Sequence, residues 1–252
     1  MTGSNNQHSL KNDGEAIARL QAMIDESKSI VFFGGAGVST ESGIPDFRSV
    51  DGLYHQKYKY PPEEMLSFHF YIQHPEEFYD FYRDKMLYLD AQPNRAHLKL
   101  AELEKAGKLT GVITQNIDGL HQKAGSQNVL ELHGSVHRNR CSRCRKHYDI
   151  QSIVESQGIP RCSCGGMIKP EVVLYEETLD PNIMEAAQKL IRQADMLIIG
   201  GTSLSVYPAA FLATEYLGNK LVVINRAIQN YQGANLVIAG SIGEILDQIT
   251  VN

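Results

Sequence analysis

Six short apolar runs punctuate this chain, at 29–33, 111–114, 129–132, 196–199, 221–224 and 236–238. Within each run the apolar residues follow one another instead of alternating with polar ones, the pattern of strands covered on both faces in a parallel sheet. Between them, 17–26, 95–106, 184–193, 209–217 and 243–249 repeat apolar residues at three- and four-residue spacing, which predicts helices with one buried face. Such alternation predicts an α/β fold, a doubly wound and mostly parallel Rossmann-like sheet. Gly107 and Gly218 stand where helix C-termini favour glycine.

Two segments break the alternation. The stretch 52–89 carries Tyr60-Pro61-Pro62 and a predicted helix from Pro75, and 136–169 holds every cysteine. Both read as insertions, one helical and one a zinc ribbon, that together form a small domain. The main domain then comprises 15–51, 90–135 and 170–252, with the site expected in the cleft between lobes. Residues 1–14 are polar and read as a mobile tail; they lack the cationic flank and hydrophobic core of a signal peptide. The longest apolar runs are far too short to span a bilayer, so no membrane partner and a cytoplasmic location are expected.

Composition narrows the picture. With 252 residues, 42% of them hydrophobic, the chain can bury a sizeable core, and its formal net charge of −5 gives no general reason to expect a nucleic-acid partner. Arg138, Arg140, Arg143, Arg145 and Lys146 form a local exception. Without interleaved aromatic platforms beyond Tyr148, they read as a solvated face or a contact for acidic protein segments.

Four thiols supply the first candidate chemistry. Cys141 and Cys144 are followed after 17 residues by Cys162 and Cys164, close to the paired-knuckle spacing of a tetrahedral zinc site. The second knuckle has one spacer residue where two are usual, and Gly165 and Gly166 can supply the tight turn it needs. Four cysteine ligands leave no open position on the metal, so this zinc is expected to hold the small lobe together.

The second candidate is the run Gly34-Gly35-Ala36-Gly37-Val38-Ser39-Thr40-Glu41-Ser42-Gly43-Ile44-Pro45-Asp46-Phe47-Arg48 directly after the first strand. A buried strand opening into glycines suits a phosphate-binding loop, because backbone N–H groups can approach the anion. The usual three-glycine dinucleotide fingerprint, with its acidic residue about 20 positions on, is missing. His133 follows the 129–132 strand, and Thr202, Ser203 and Asn225 follow later ones, where open α/β sheets bind ligands. His137 and His147 compete with His133 for an acid–base role.

Together with Thr114-Gln115-Asn116-Ile117-Asp118-Gly119-Leu120-His121, Glu131-Leu132-His133-Gly134-Ser135, Gly201-Thr202-Ser203-Leu204 and Val223-Ile224-Asn225-Arg226, this run closely resembles the sirtuin family of NAD-dependent protein lysine deacylases, over roughly 30–249. The resemblance implies a deacetylase that consumes NAD and releases nicotinamide and O-acetyl-ADP-ribose. It implies His133 as general base and Asn116 as a catalytic residue positioning ribose or water. Ala36, Thr40, Phe47, Arg48, Gln115, Asn116, Ile117, Asp118, His133, Thr202, Ser203, Asn225 and Ile242 would bind the cofactor. Asp118 would accept from the nicotinamide amide, though an Asx turn ahead of Gly119 is the competing reading. Phe47 would shield the reactive ribose face, and Arg48 would pair with pyrophosphate.

For the acyl-lysine protein or peptide, Val172, Val173, Leu174 and Tyr175 occupy the place of the family's substrate strand. Tyr175-Glu176-Glu177 replaces the commoner Phe-Gly-Glu wording. Sirtuins that prefer succinyl or malonyl lysine resemble one another in a Tyr-x-x-Arg pair, and here Tyr79 is kept while Tyr82 takes the arginine's place. Tyr79 and Tyr82 are therefore expected to line an uncharged acyl pocket, with Arg83 about 100° further round the helix. Three alternatives stay open: ADP-ribosyl transfer to protein at the same site, hydride transfer with NAD, and a non-catalytic zinc-ribbon adaptor.

Overall fold

The computed structural model describes residues 4–47, 59–203, 209–227, 231 and 233–251. Its strands are β1 (Ile30–Gly34), β2 (Leu109–Thr114), β3 (Val129–Glu131), β4 (Gly134–Cys141), β5 (His147–Tyr148), β6 (Ile168–Val172), β7 (Met196–Gly200), β8 (Leu221–Asn225) and β9 (Leu236–Ala239). Its helices are α1 (Ser4–Glu26), α2 (Pro62–Met65), α3 (Phe68–Gln73), α4 (Pro75–Lys85), α5 (Arg95–Lys105), α6 (Leu120–Ala124), α7 (Gln151–Val154), α8 (Pro181–Gln193) and α9 (Ile242–Asp247).

Six parallel strands form the large sheet in the order β3-β2-β1-β7-β8-β9. The unbroken apolar runs have a simple cause: successive side chains serve opposite faces. Ile30 and Phe32 of β1 pack with Leu20, Leu100 and Leu246 from α1, α5 and α9. Val31 and Phe33, between them in sequence, pack on the other face with Ala187 and Ile191 of α8. The chain winds outward from β1 to β3, then returns to lay β7 beside β1. A crevice therefore opens beyond the carboxyl ends of β1 and β7, at the topological switch point.

The second sheet is antiparallel, with order β5-β4-β6, and its core joins the zinc-ribbon segment to α3 and α4 through Phe70, Tyr71, Phe78, Tyr79, Val136 and Ile168. Helix starts carry the expected signals. Asn94 caps α5 in a reciprocal box with His97, Asp180 caps α8 ahead of Pro181, and Pro75 occupies the first turn of α4.

Three expectations are corrected. Helix α1 begins at Ser4, inside the stretch read as a polar tail. That stretch contains no proline, and extending a helix already nucleated by the buried Leu20 and Ile24 needs no further apolar face. The predicted helix at 209–217 is a 3-10 segment, Ala209–Glu215. Gly107 has the left-handed backbone of a helix C-terminus, φ 73°, whereas Gly218 is not among the left-handed glycines.

Candidate active site and metal centre

The crevice is built first from backbone. Beyond β1, Ala36–Val38 and Thr40–Ser42 form consecutive 3-10 turns. Gly37 N–H donates to the Gly201 carbonyl at 2.8 Å, and a Cβ on Gly37 would lie 2.8 Å from the Gly201 Cα. Only glycine lets the loops after β1 and β7 touch in this way. Ala36 and Thr40 are half-buried in this loop, and the Thr40 hydroxyl donates to the Gly37 carbonyl. Phe47, at the end of the described stretch, packs against the small-lobe core. Arg48 lies outside the described residues.

From the end of β2, Gln115, Asn116, Ile117 and Asp118 enter the same crevice. Ser39 organises them. Its hydroxyl donates to Asp118 Oδ2 at 2.6 Å and accepts from Asn116 Nδ2 at 3.0 Å. The other carboxylate oxygen of Asp118 accepts from Leu120 N–H at 2.9 Å, so the Asx-type turn exists alongside the side chain's second contact. His137 Nε2 donates to the Asp118 carbonyl at 3.0 Å, which places this rival histidine behind the site as a brace. Gln115 Oε1 accepts from Thr202 Oγ1, while its buried Nε2 has no partner. An orphaned buried amide N–H is costly, and a ligand acceptor in the crevice would satisfy it. Ile117 gives its carbonyl to Val136 N–H.

His133 stands between β3 and β4, where the chain leaves the large sheet and enters the small one. Its carbonyl accepts from Val173 N–H at 2.9 Å, tying the intended peptide segment to the same junction. Gly134, with φ 77°, lies so close to the Glu171 carbonyl that a side chain there would collide with it. The imidazole is half-buried, and its Nδ1 sits 2.9 Å from the Gln115 carbonyl. Because a carbonyl can only accept, Nδ1 carries the proton and Nε2 is left as a base. Burial pushes the His133 pKa down and the Gln115 contact partly restores it, so the neutral form prevails at neutral pH.

After the later strands, Thr202 is buried and Ser203 half-buried. Asn225 Nδ2 donates to the Thr202 carbonyl at 3.0 Å, and Tyr231 Oη donates to that same carbonyl. Ser39 and Tyr231 escaped the sequence reading: Ser39 lies in the glycine run, but its partner is 79 residues away, and nothing near Tyr231 marks it. Ile242 is a different case. Its side chain is in the core against Gly200, and only the backbone at the start of α9 is near the crevice. Glu41 reaches the same helix start, accepting from Gly243 N–H at 2.9 Å.

Tyr79 and Tyr82 do not line an open pocket. Both are fully buried in the small-lobe core, because their three-residue spacing puts them on the inward face of α4 with Phe78. Tyr79 donates to the Ile168 carbonyl at 2.8 Å, whereas the Tyr82 hydroxyl is unpartnered. Arg83 turns to the zinc lobe, donating to Ile153 O at 2.9 Å and to Ser156 Oγ at 2.8 Å. Val172 and Leu174 are buried, Val173 half-buried and Tyr175 exposed. The far end of this segment is held by Tyr175 N–H to Leu66 O and Phe68 N–H to Tyr175 O, both at 3.0 Å.

The four cysteine Sγ atoms lie within 4.8 Å of one another. A tetrahedral zinc with Zn–S bonds of about 2.3 Å has S···S edges of about 3.8 Å, so the cage fits that ion. Arg143 and Cys144 N–H groups point at Cys141 Sγ, and Tyr148 Oη donates to Cys162 Sγ at 3.0 Å. These contacts favour thiolates. The Cys164 N–H and the Tyr148 hydroxyl hold Cys162 down to about 5. Cys144, although the Lys146 N–H favours its thiolate, is pushed up to about 11 by the neighbouring sulfurs. Four thiols this close ionise together only around a cation.

The model of the Sir2 family matches residues 35–208, a stretch that takes in Gly35 to Phe47, Gln115 to Asp118, His133, Thr202 and the cysteine cage. The chain belongs to the Sir2 family. An NAD-dependent protein deacetylase of Clostridium acetobutylicum is 55% identical over 240 residues, covering 93% of this chain and 98% of that protein. One of Cutibacterium acnes is 53% identical over 239 residues, covering 94% and 97%. A solved Sir2–p53 peptide–NAD+ structure aligns with TM-score 0.82 at 39% identity, over 91% of this chain and 95% of that one. A Sir2 structure bound to acetylated peptide gives 0.82 at 37%, with the same coverage. Among the described residues, no helix of this Sir2 protein is long and apolar enough to cross a membrane.

Proposed function

We propose that this Sir2 protein is an NAD-dependent protein lysine deacetylase of the cytoplasm, acting on acetyl-lysine in proteins or peptides. The single observation that carries the reading is the His133 tautomer: Nδ1–H given to Gln115 O leaves Nε2 free at the carboxyl edge of the sheet. Relatives named as such enzymes over nearly the whole chain support it. A reducing compartment suits four free thiols gathered as metal ligands.

When bound, NAD supplies the ribose carbon that the acetyl oxygen attacks as nicotinamide departs. His133 Nε2 takes a proton from a ribose hydroxyl, so that this oxygen can attack the acyl carbon. Asn116 and Asp118, fixed through Ser39, position ribose and nicotinamide. Gln115 Nε2 offers the ribose a donor that is otherwise unsatisfied. Phe47 excludes water from the reacting face. Residues 172–175 would form the wall along which an extended peptide lies; the N–H groups of Val173, Leu174 and Tyr175 are given to His133 O, Glu177 Oε2 and Leu66 O, which holds that wall in place. Zinc held by Cys141, Cys144, Cys162 and Cys164 would stiffen the small lobe against which that peptide lies. We assign 15–51, 90–135 and 170–252 to the cofactor domain and 52–89 with 136–169 to the small one.

Incubation with NAD and an acetyl-lysine peptide tests the reading. Equal amounts of nicotinamide, O-acetyl-ADP-ribose and free lysine peptide are expected. Accumulation of NADH would make the protein an oxidoreductase, ADP-ribosylated peptide a transferase, and no turnover an adaptor.

A further inference from the structure

The proposed peptide-binding segment, 172–175, is followed directly by a residue whose backbone is strained. Glu176 has φ 75°, a left-handed conformation that disfavours any side chain. Its carboxylate compensates by clasping α3: Oε2 accepts from His69 N–H at 3.0 Å, and Oε1 lies 2.7 Å from His69 Nδ1. A carboxylate only accepts, so both contacts are donations from His69 to Glu176. The other acid of the pair, Glu177, is committed to Lys169 at 2.9 Å. The Glu176 side chain remains 49% exposed and that of His69 47%.

Beside this carboxylate the surface is apolar. Phe68 and Ile72, one helical turn apart on α3, are 40% and 50% exposed, and Tyr175 is 40% exposed. Phe68 and Tyr175 are locked side by side by the Phe68 N–H bond to Tyr175 O. Partly exposed large apolar side chains beside a half-exposed acid describe a rim for a partly apolar, cationic partner. The ring of an aromatic platform also favours a cation laid over it.

We infer that Glu176, with the Phe68–Ile72–Tyr175 platform, selects acyl-lysine peptides that carry an arginine or lysine and an apolar residue beside the modified lysine. The inference rests on the reading of 172–175 as the peptide-binding segment. A half-exposed carboxylate gives such a cation a preference of about two- to fivefold, the range of exposed ion pairs, and the preference weakens with salt.

The test uses the full chain and acetyl-lysine peptides bearing Arg, Ala or Glu at each of the two positions on either side of the modified lysine. Both direct binding of fluorescent peptides and kcat/KM are measured, in the wild type, Glu176→Gln, Glu176→Gly and His69→Ala. Glu176→Gln keeps an acceptor for His69 N–H, and Glu176→Gly removes the backbone strain, so either variant can fold. Expected is an Arg-over-Glu preference of about two- to fivefold on one side of the lysine, expressed in KM, abolished in both Glu176 variants and retained in His69→Ala. Equal use of Arg and Glu peptides by the wild type overturns the inference, as does an Arg preference that survives Glu176→Gln. A Glu176→Gly variant that slows every peptide by the same factor would reduce Glu176 to a structural clasp. The Ala peptides report on the deacetylase reading separately, and the binding arm reads the preference even without turnover.

Discussion

His133 Nδ1 and the Gln115 carbonyl are 2.9 Å apart, joining the sheet-to-sheet junction to the residue that follows β2. The bond fixes which imidazole nitrogen is basic. His133→Ala is expected to leave NAD affinity within about tenfold and to lower deacetylation by roughly 10² or more, the usual contribution of a positioned acid–base group. Isothermal titration and steady-state rates on the folded variant check both halves; near-normal turnover would remove His133 from the mechanism.

The pH profile follows from the same burial. His133 titrates below its ordinary 6.5, and the base must be unprotonated to act, so kcat/KM should hold as pH falls through 6.5 and drop only below it. An acid limb centred above 6.5 would contradict the buried-base geometry.

Ser39 and Asp118 form one unit, so their substitutions should not be additive. In Asp118→Asn, Oδ1 can still accept from Leu120 N–H, but an NH2 faces the Ser39 hydroxyl. Nicotinamide inhibition is expected to weaken in Asp118→Asn and, through loss of positioning, in Ser39→Ala, with the double variant scarcely worse than Asp118→Asn. Unchanged nicotinamide inhibition in both single variants would leave Asp118 as a turn former only.

Metal analysis should return one zinc per chain, held by the four cysteines. Since structural sites of this kind contribute folding energy directly, a strong chelator should lower the melting temperature and expose the small-lobe core. Full activity in Cys141→Ala/Cys144→Ala would dispose of the structural role.

Acid should destabilise the fold through two buried histidines. His97 and His121 meet edge to face with ring centroids 4.7 Å apart, and burial lowers them to about 4 and about 3 from 6.5. Below 6.5 the unfolded chain binds protons that the folded one resists, so the stability from these neutral rings is present above 6.5 and is lost as pH falls from there towards 4. A chemical denaturation series between pH 7.5 and 4.5 should show unfolding free energy declining, and a smaller decline in His121→Gln; a flat series would mean the rings are charged or solvated.

The acyl preference is expected to favour acetyl over succinyl. Arg83 is spent on Ile153 O and Ser156 Oγ, so α4 brings no free cation to a dicarboxylic acyl group, whose charge would then be poorly compensated. Comparison of kcat/KM on one peptide bearing either acyl group decides it; a succinyl preference would require another cation.

What could be read in one dimension was whatever a short window determines. Unbroken apolar runs such as Val31-Phe32-Phe33 declare a strand buried on both sides, because successive residues must serve opposite faces. Cys141, Cys144, Cys162 and Cys164 declare a cage because knuckle ligands are neighbours in sequence, and His133 stood out because a strand end is a local feature. Tertiary structure decided the rest. The order β3-β2-β1-β7-β8-β9, which lays β7 beside β1 and makes the crevice, depends on a pairing between segments more than 160 residues apart. Ser39 became the bridge between Asn116 and Asp118 only when the glycine loop and the end of β2 met at that switch point. Tyr79 and Tyr82 look like pocket residues in a motif, yet packing against Phe78, Tyr71 and Ile168 turned them inward. Periodicity reports that a face is apolar; whether it meets a ligand or another part of the chain is set by long-range packing, which no local window contains.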